Sequence, residues 1–417
     1  MGLFDSLFSR KKDPAPDYLP PGITTPDPHR KEADELAVKA FTLMQQGMMS
    51  GSKDLMKEAL ANANKALELD PDCYNALQCK VATVSMFQKD DKNHLLLEAL
   101  ACTERALVQK KDNASMWYNR AGILEQLGRY PEAIEAYDKS RSCDTDGMAG
   151  PLVARARVLE KMDRDSEALR IYNSISPTDP SYVDAVGAKA RMMERKGKRD
   201  EALAGYRAAA SLYHRKRDDS NARLCLDQVL RLEPSDKGAL HSKAAALLNQ
   251  YTPAKSARML SEAEACIDAA LAQEPQNAGF LTVKGRCRFE MDHPEESLEY
   301  YDKALAQSPS DFEAVMHKGF SLNRLMRSDE ALEVFNRACS LSPDSPLPWS
   351  MKAMIRYEQG DNEQGLKDID EAIGRSERDR SSWEIRAKIL RKLGRTAAAD
   401  EAGAMAKRYD PRWRAGR

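Results

Sequence analysis

Aromatic residues are scarce here, 6% of 417 positions, and long apolar runs are missing altogether. A membrane-spanning helix needs about 18 or more consecutive apolar residues, and no run of that length occurs. Neither sign of charge is in excess: 64 Lys and Arg face 65 Asp and Glu, for a net charge of −1. That balance excludes a bulk polycation coating nucleic acid, and no nucleic-acid partner is expected. Cysteine is too sparse for a disulfide framework. The thiols at Cys73, Cys79, Cys102, Cys143, Cys225, Cys266, Cys287 and Cys339 form no CxxC pair. Most fall in helical patterns, where cysteine acts as a small apolar residue. They are expected to be reduced, in a cytoplasmic protein. The six histidines do not group with cysteine at zinc spacing, so no metal and no cofactor is expected. There is no P-loop, Gly-rich dinucleotide turn, HExxH or nucleophile-elbow serine. Carboxylates abound, but a charged helical chain supplies them regardless, so no catalytic residues are assigned and no enzyme is expected.

The N-terminus also lacks the apolar stretch and cleavage site of a secretory signal. It places Leu3, Phe4, Leu7 and Phe8 on one face of a short helix, followed by Arg10, Lys11 and Lys12. That pattern suits weak contact with an anionic membrane or docking into a partner groove. It equally suits a frayed terminus, since so few residues cannot hold a helix alone. Gly2 and Ser6 fit an N-myristoylation pattern, meaningful only in a eukaryotic host. Pro14, Pro16, Pro20, Pro21, Pro26 and Pro28 then make residues 13–31 an extended linker. Residues 1–31 are thus expected to be a flexible tail.

From Glu32 to Pro411 a helical pattern recurs. Its clearest copy starts at Ala114. Trp117 stands at position 4, Arg120 at 7, Ala121 at 8, Leu124 at 11 and Gly128 at 15. Ala133, Tyr137 and Ser140 take positions 20, 24 and 27. Small residues at 8, 20 and 27 let two antiparallel helices approach, and bulky ones at 4, 11 and 24 fill the gap between neighbouring pairs. Proline at position 32 often closes the copy. Position 4 recurs as Leu36, Leu77, Trp117, Leu152, Val186, Leu240, Leu281, Val315, Trp349 and Trp383. The spacings are 41, 40, 35, 34, 54, 41, 34, 34 and 34. The pattern resembles the tetratricopeptide repeat over roughly nine-tenths of the chain. The resemblance implies an all-α solenoid, a right-handed superhelix of antiparallel helix pairs, with about ten to eleven repeats.

Excess spacing predicts longer turns at 47–53, 88–94 and 251–257. The 54-residue step has room for another helix. Residues 199–216 and 219–232 both read as helices, and Tyr206, Ala210, Tyr213, Ala222, Leu226, Val229 and Pro234 match a repeat of their own. An irregular or three-helix unit is expected there, with a seam near residue 218 between an array over 32–217 and another over 218–417. Gly403 replaces the position-24 aromatic of the last copy. The Ala-rich helix 397–408 suits a polar cap at the solenoid end. Lys407, Arg408, Arg412, Arg414 and Arg417 then make a short basic tail.

Every copy carries Lys or Arg at position 7: Lys39, Lys80, Arg120, Arg155, Lys189, Lys243, Lys284, Lys318, Lys352 and Arg386. The Lys-Gly or Lys-Ala pair this creates looks like prokaryotic, especially methanogenic archaeal, members of the family. A basic ladder for a ligand is one reading. The favoured one is structural: a long side chain lying over the neighbouring helix, its head paired with Asp or Glu or left in water. The resemblance also implies that ligands lie on the faces of the first helices, at positions 2, 5, 9 and 12. Tyr118, Glu125, Arg157, Glu160, Arg191 and Glu194 put an Arg row beside a Glu row, fit for a mixed-charge peptide or for mutual neutralisation. Arg286, Phe289, Phe320, Asn323, Met354 and Tyr357 give a more apolar stretch, a candidate set of peptide anchors or ordinary packing. The Lys and Asn pair with which one family subtype grips acidic chaperone tails is missing from positions 5 and 9. The expected function is a non-catalytic protein-interaction scaffold that binds another protein or peptide segment. The alternative is a peripheral membrane adaptor held by residues 3–12.

Overall fold

The computed structural model describes residues 28–86, 93–144, 150–252 and 257–409. Residues 3–12 and 13–27, most of the expected turn at 88–94, and Arg412, Arg414 and Arg417 lie outside them. The described residues form 21 helices and no strand. In chain order these are α1 (Pro28–Ser50), α2 (Lys53–Leu69), α3 (Tyr74–Met86), α4 (Asn93–Gln109), α5 (Ala114–Gln126), α6 (Tyr130–Cys143) and α7 (Gly150–Lys161). Then come α8 (Asp165–Ser174), α9 (Tyr182–Arg195), α10 (Arg199–Arg215), α11 (Asp219–Leu232), α12 (Lys237–Gln250), α13 (Ala257–Leu271) and α14 (Ala278–Glu290). The last seven are α15 (Pro294–Gln307), α16 (Phe312–Arg324), α17 (Ser328–Leu341), α18 (Pro346–Gln359), α19 (Asn362–Arg375), α20 (Arg380–Lys392) and α21 (Thr396–Arg408).

The chain divides into two compact units, Met1–Ala209 and Ala210–Arg417, with the boundary inside α10. In each unit helices pack on their chain neighbours, and some on the next but one, as a solenoid requires. First and second helices pair as α1 with α2, α3 with α4, and so on to α7 with α8, then from α12 with α13 to α20 with α21. α9 meets the start of α10 where Gly205 faces Ala190. α11 is the extra helix that the 54-residue spacing called for, and its Ala222, Leu226 and Val229 are buried. Arg217 has φ 57°, the left-handed turn that Gly128, Gly197 and Gly394 make between paired helices elsewhere. It stands at position 15 of a copy in which Tyr206 takes position 4.

Two boundaries differ from expectation. α1 begins at Pro28, so residues 28–31, expected in the linker, are helical; proline fits a first helical position, where its missing amide costs nothing. The longer turn expected at 47–53 is mostly helix, because α1 continues to Ser50 and only Gly51 and Ser52 connect to α2. Gly47 permits this. A Cβ there would lie 3.0 Å from Met56, so the bare backbone seats the Met56 side chain. Ser52 caps α2 by accepting from the Leu55 amide.

The small positions work as the pattern requires. A Cβ on Gly285 would sit 2.5 Å from the Tyr301 ring, and one on Gly319 2.6 Å from Phe335. Tyr301 and Phe335 are fully buried. The aromatic of a second helix thus lies flat on the backbone of the first.

The position-7 cations do the joining between pairs. Arg120, Lys243, Lys284, Lys318 and Arg386 each reach back to an acid on the second helix of the preceding pair or on α11. Those acids are Glu104, Asp227, Asp268, Asp302 and Asp370, at 2.5–3.1 Å. Arg155 meets Asp138 at 3.2 Å, and Lys189 donates to Asn173. Lys39, Lys80 and Lys352 pair instead with their own second helix, at Glu58, Glu98 and Asp368. Lys243 does both, holding Asp227 and Glu262 at 2.7 and 2.8 Å. The structural reading of the ladder is therefore the one the distances support.

Burial decides what each rung is worth. The Lys284 side chain is 4% exposed and sits between Glu264 and Asp268, whereas Lys39 is 59% exposed and 3.8 Å from Glu58. Burial pulls the Lys284 ammonium pKa down, but its bonds to Asp268 and Glu264 outweigh that and leave it raised. We expect Lys284→Met to lower unfolding stability by about 2 kcal/mol, between the limits for exposed and buried pairs. Lys39→Met should cost less than about 0.5 kcal/mol. Chemical denaturation followed by circular dichroism checks both, and equal losses would contradict the burial argument.

Candidate functional site

In the first unit the candidate residues lie on α5, α7 and α9. Tyr118 is half-buried and packs edge-on against Tyr137, with ring centroids 5.4 Å apart. The Tyr137 hydroxyl donates to Glu125 at 3.0 Å, Tyr172 to Glu160 at 2.5 Å, and Tyr206 to Glu194 at 2.8 Å. Each tyrosine follows its glutamate by twelve residues, so the same bond recurs in three successive repeats. Two further bases complete the arrangement. Lys161 lies 2.8 Å from Glu125, and Arg195 lies 3.2 Å from Glu160. The Glu row is thus sunk and partnered within the chain.

The Arg row is not. Arg157 and Arg191 are exposed and have no hydrogen-bond or ion-pair partner among the described residues. Both lie near the Tyr172 hydroxyl. Burial raises that phenol's pKa, the Glu160 bond and charge raise it further, and the two guanidiniums offset part of the rise. Arg157 acts the same way on Tyr118 and Tyr137. Neutralisation therefore comes not from the Arg row but from Lys161 and Arg195, which sequence reasoning did not single out. The signal was present: each base directly follows a position-12 glutamate, in Glu160-Lys161 and Glu194-Arg195.

Two glycines share this face. A Cβ on Gly122 would meet only the Tyr137 oxygen at 4.0 Å, and one on Gly187 only Arg191 at 3.9 Å. Unlike Gly285 and Gly319, they are not demanded by packing. Mid-helix glycine costs about 0.5–1 kcal/mol relative to alanine, so these positions accept a cost and leave open space.

The second-unit candidates are more enclosed. Arg286 is bonded to Asn249 at 3.1 Å and Glu313 at 3.3 Å. Phe289 lies under the Arg324 guanidinium, 5.3 Å from its ring centre. Phe320 packs on His317 and Phe335, each with centroids 5.7 Å apart. Tyr357 packs against the core of α18–α21, while Met354 and Asn323 are half-buried. Phe289 occupies the position where Glu125, Glu160 and Glu194 stand in the first unit. Tyr301, the matching tyrosine, consequently has a buried hydroxyl with no partner.

None of the eight cysteines is in a disulfide and six are buried; burial pushes the Cys287 thiol up to about 12. Among the described residues no group of three His, Cys, Asp or Glu could hold a metal ion, and no helix is long and apolar enough to cross a membrane.

His317 carries a pH signature. It stacks on Tyr301, and burial, with help from Arg286, pushes its pKa down from 6.5 to about 3. The folded imidazole stays neutral while the unfolded one takes a proton below about pH 6.5. Stability is therefore lost as pH falls from 6.5 through 3. Between pH 7 and pH 5 the loss due to this residue should be about 2 kcal/mol. We expect His317→Asn to remove that part of the pH dependence, read from denaturation midpoints at the two pH values.

Comparison with known proteins fits the repeat geometry. A tetratricopeptide repeat model matches residues 92–147, 284–346 and 350–412. Among solved structures, PilW, described as a widely conserved type IV pilus biogenesis factor, is 20% identical, with 51% of this chain and 97% of that chain covered and a TM-score of 0.45. Yeast Tom70 is 17% identical, with 91% and 86% covered and a TM-score of 0.42. YrrB, described as a TPR protein with an unusual peptide-binding site, is 20% identical, with 47% and 96% covered and a TM-score of 0.35. At these identities the likeness is one of fold alone. No curated protein matches the chain in sequence. The family model fits where the 34-residue spacing is most regular and again around the clearest copy, and these three stretches carry tetratricopeptide repeats.

Proposed function

We propose that this chain is a non-catalytic scaffold that holds a segment of another protein along the first-helix faces of its repeats. One observation carries the reading. On α7 and α9 the carboxylates are already partnered, while the guanidiniums of Arg157 and Arg191 are exposed and unpartnered beside open glycines. A protein surface that serves only to be solvated has no need to arrange its charges so. Weak contacts over several repeats add up when one chain engages them together. Tyr118 and the second-unit residues Phe289, Phe320, Asn323, Met354 and Tyr357 belong to the same proposal as flanking contacts. So does the division of the work between an array over 32–217 and one over 218–417.

A second reading rests only on the pattern of Leu3, Phe4, Leu7 and Phe8 before Arg10, Lys11 and Lys12. There the first twelve residues attach the array to an anionic membrane. Deleting residues 1–12 and measuring sedimentation with anionic vesicles tests it: loss of binding supports it, and unchanged or absent binding removes it.

The scaffold reading is tested by site-resolved crosslinking in the native host. A photo-reactive side chain is placed at Gly122 or Arg191, and for comparison at Arg141 on the outer helix α6. We expect a discrete protein adduct from the first two positions and none from Arg141. Adducts only from Arg141, or only to RNA or lipid from the groove, would overturn the reading.

A further inference from the structure

One rung of the position-7 ladder has no acid among the described residues. Lys189 donates to the Asn173 side-chain oxygen at 2.9 Å, sixteen residues earlier. In five other repeats the residue sixteen places before the cation is an acid and holds it: Glu104, Asp227, Asp268, Asp302 and Asp370. Asn173 occupies the same place with a neutral amide, a weaker acceptor for an ammonium than a carboxylate. The middle of the α8–α9 junction therefore lacks the fastening found elsewhere.

The rest of that junction is also slight. α8 has ten residues, the shortest of the described helices. It packs on α9 less extensively than the other second helices of the first unit pack on the helix that follows them. Residues 175–181 join the two without helical structure and contain Pro177 and Pro180. Ser181, at the end of this link, is 2% exposed, and its hydroxyl has no hydrogen-bond partner. A buried donor left unpaired costs about 1–3 kcal/mol.

What closes the junction lies at the far end of α9. Arg195, its last residue, meets Glu160 on α7 at 3.2 Å and Asp165, the first residue of α8, at 3.0 Å. Lys196 meets the other Asp165 oxygen at 3.2 Å. Arg195 is 52% and Lys196 36% exposed, so water and salt reach these pairs. α9 is thus tied to α7 and α8 by the chain at one end and by ions at the other, with a neutral contact between. Its 14 residues span about 21 Å, so a turn of about 15° at the link moves the ionic end by about 5 Å.

We propose that the α8–α9 junction is a hinge, closed by an ionic clasp in which Arg195 and Lys196 hold Glu160 and Asp165. The pivot is the 175–181 link, and the leaves are α7–α8 on one side and α9 on the other. Loss of the clasp lets α9 swing, because Lys189 and Asn173 do not hold the middle. The leaves carry Arg157 and Arg191, so the hinge sets the width of the face between them. It does so whether or not a ligand binds there.

The test measures distances between spin labels in the full chain by pulsed electron resonance. The labels are attached through genetically encoded ketone side chains, which leaves the native cysteines untouched. One pair sits at Glu135 on α6 and Ala204 on α10, across the junction. A control pair sits at Ala265 on α13 and Glu333 on α17, across the Lys284–Asp268 and Lys318–Asp302 fastenings. At about 0.1 M salt we expect one narrow distance from each pair. At about 1 M, where the screening length falls to about 3 Å, the first pair should gain a component at least 5 Å longer and the control should not. Asp165→Asn should produce that component at about 0.1 M. Adding Asn173→Asp, which gives Lys189 an acid where the other repeats have one, should remove it. Unchanged distances at high salt, equal broadening of both pairs, or no effect of Asn173→Asp would each overturn the hinge. If Asp165→Asn does not fold, the salt response of the native chain decides by itself.

Discussion

A solenoid has no single core, so each repeat depends on how it is fastened to the one before. Here that fastening is a cation at the seventh position of every first helix. It reaches back to the preceding second helix in most repeats and to its own second helix in the rest. Aliphatic stems cross the helix interface and the charged heads meet acids at its rim. The arrangement adds direction to an otherwise non-directional apolar contact. A repeat rotated by one helical turn would leave the head of Lys284 or Lys352 buried without a partner, a large cost. The glycines under Tyr301 and Phe335 act within the pair instead, setting how closely its two helices approach.

Much of this was legible in the sequence, because it rests on residues recurring at a fixed period. The helix pairs, the extra helix at 219–232 and the paired position-7 cations follow from spacing alone. The extended α1 was not legible, since an added seven residues can lengthen a loop or a helix equally well. What settled it is Gly47 against Met56, a contact across the pair that no period reveals. The candidate site was legible only in part. The Arg and Glu rows could be placed on one face, but not the partners that take the glutamates out of play. Those partners come from the second helix of the same repeat and the first helix of the next, so the bond pattern appears only once the pairs are stacked.

The two halves of the charge pattern thus differ in kind. Arg120 at position 7 of α5 donates to Thr103 and Glu104 and belongs to the fastening. Arg157 at position 9 of α7 has no such bond. Residue type does not separate them, since both are arginines on first helices. The separation lies in whether the preceding second helix supplies an acceptor within reach.

The most direct measurement is therefore the unfolding free energy of Arg120→Met and Arg157→Met, side by side in the full chain. Loss of about 1–2 kcal/mol from the first, with no loss from the second, is the result this account requires. Equal losses from both, or a larger loss from Arg157→Met, would contradict it, because Arg157 would then be a structural rung rather than a charge held ready for a ligand.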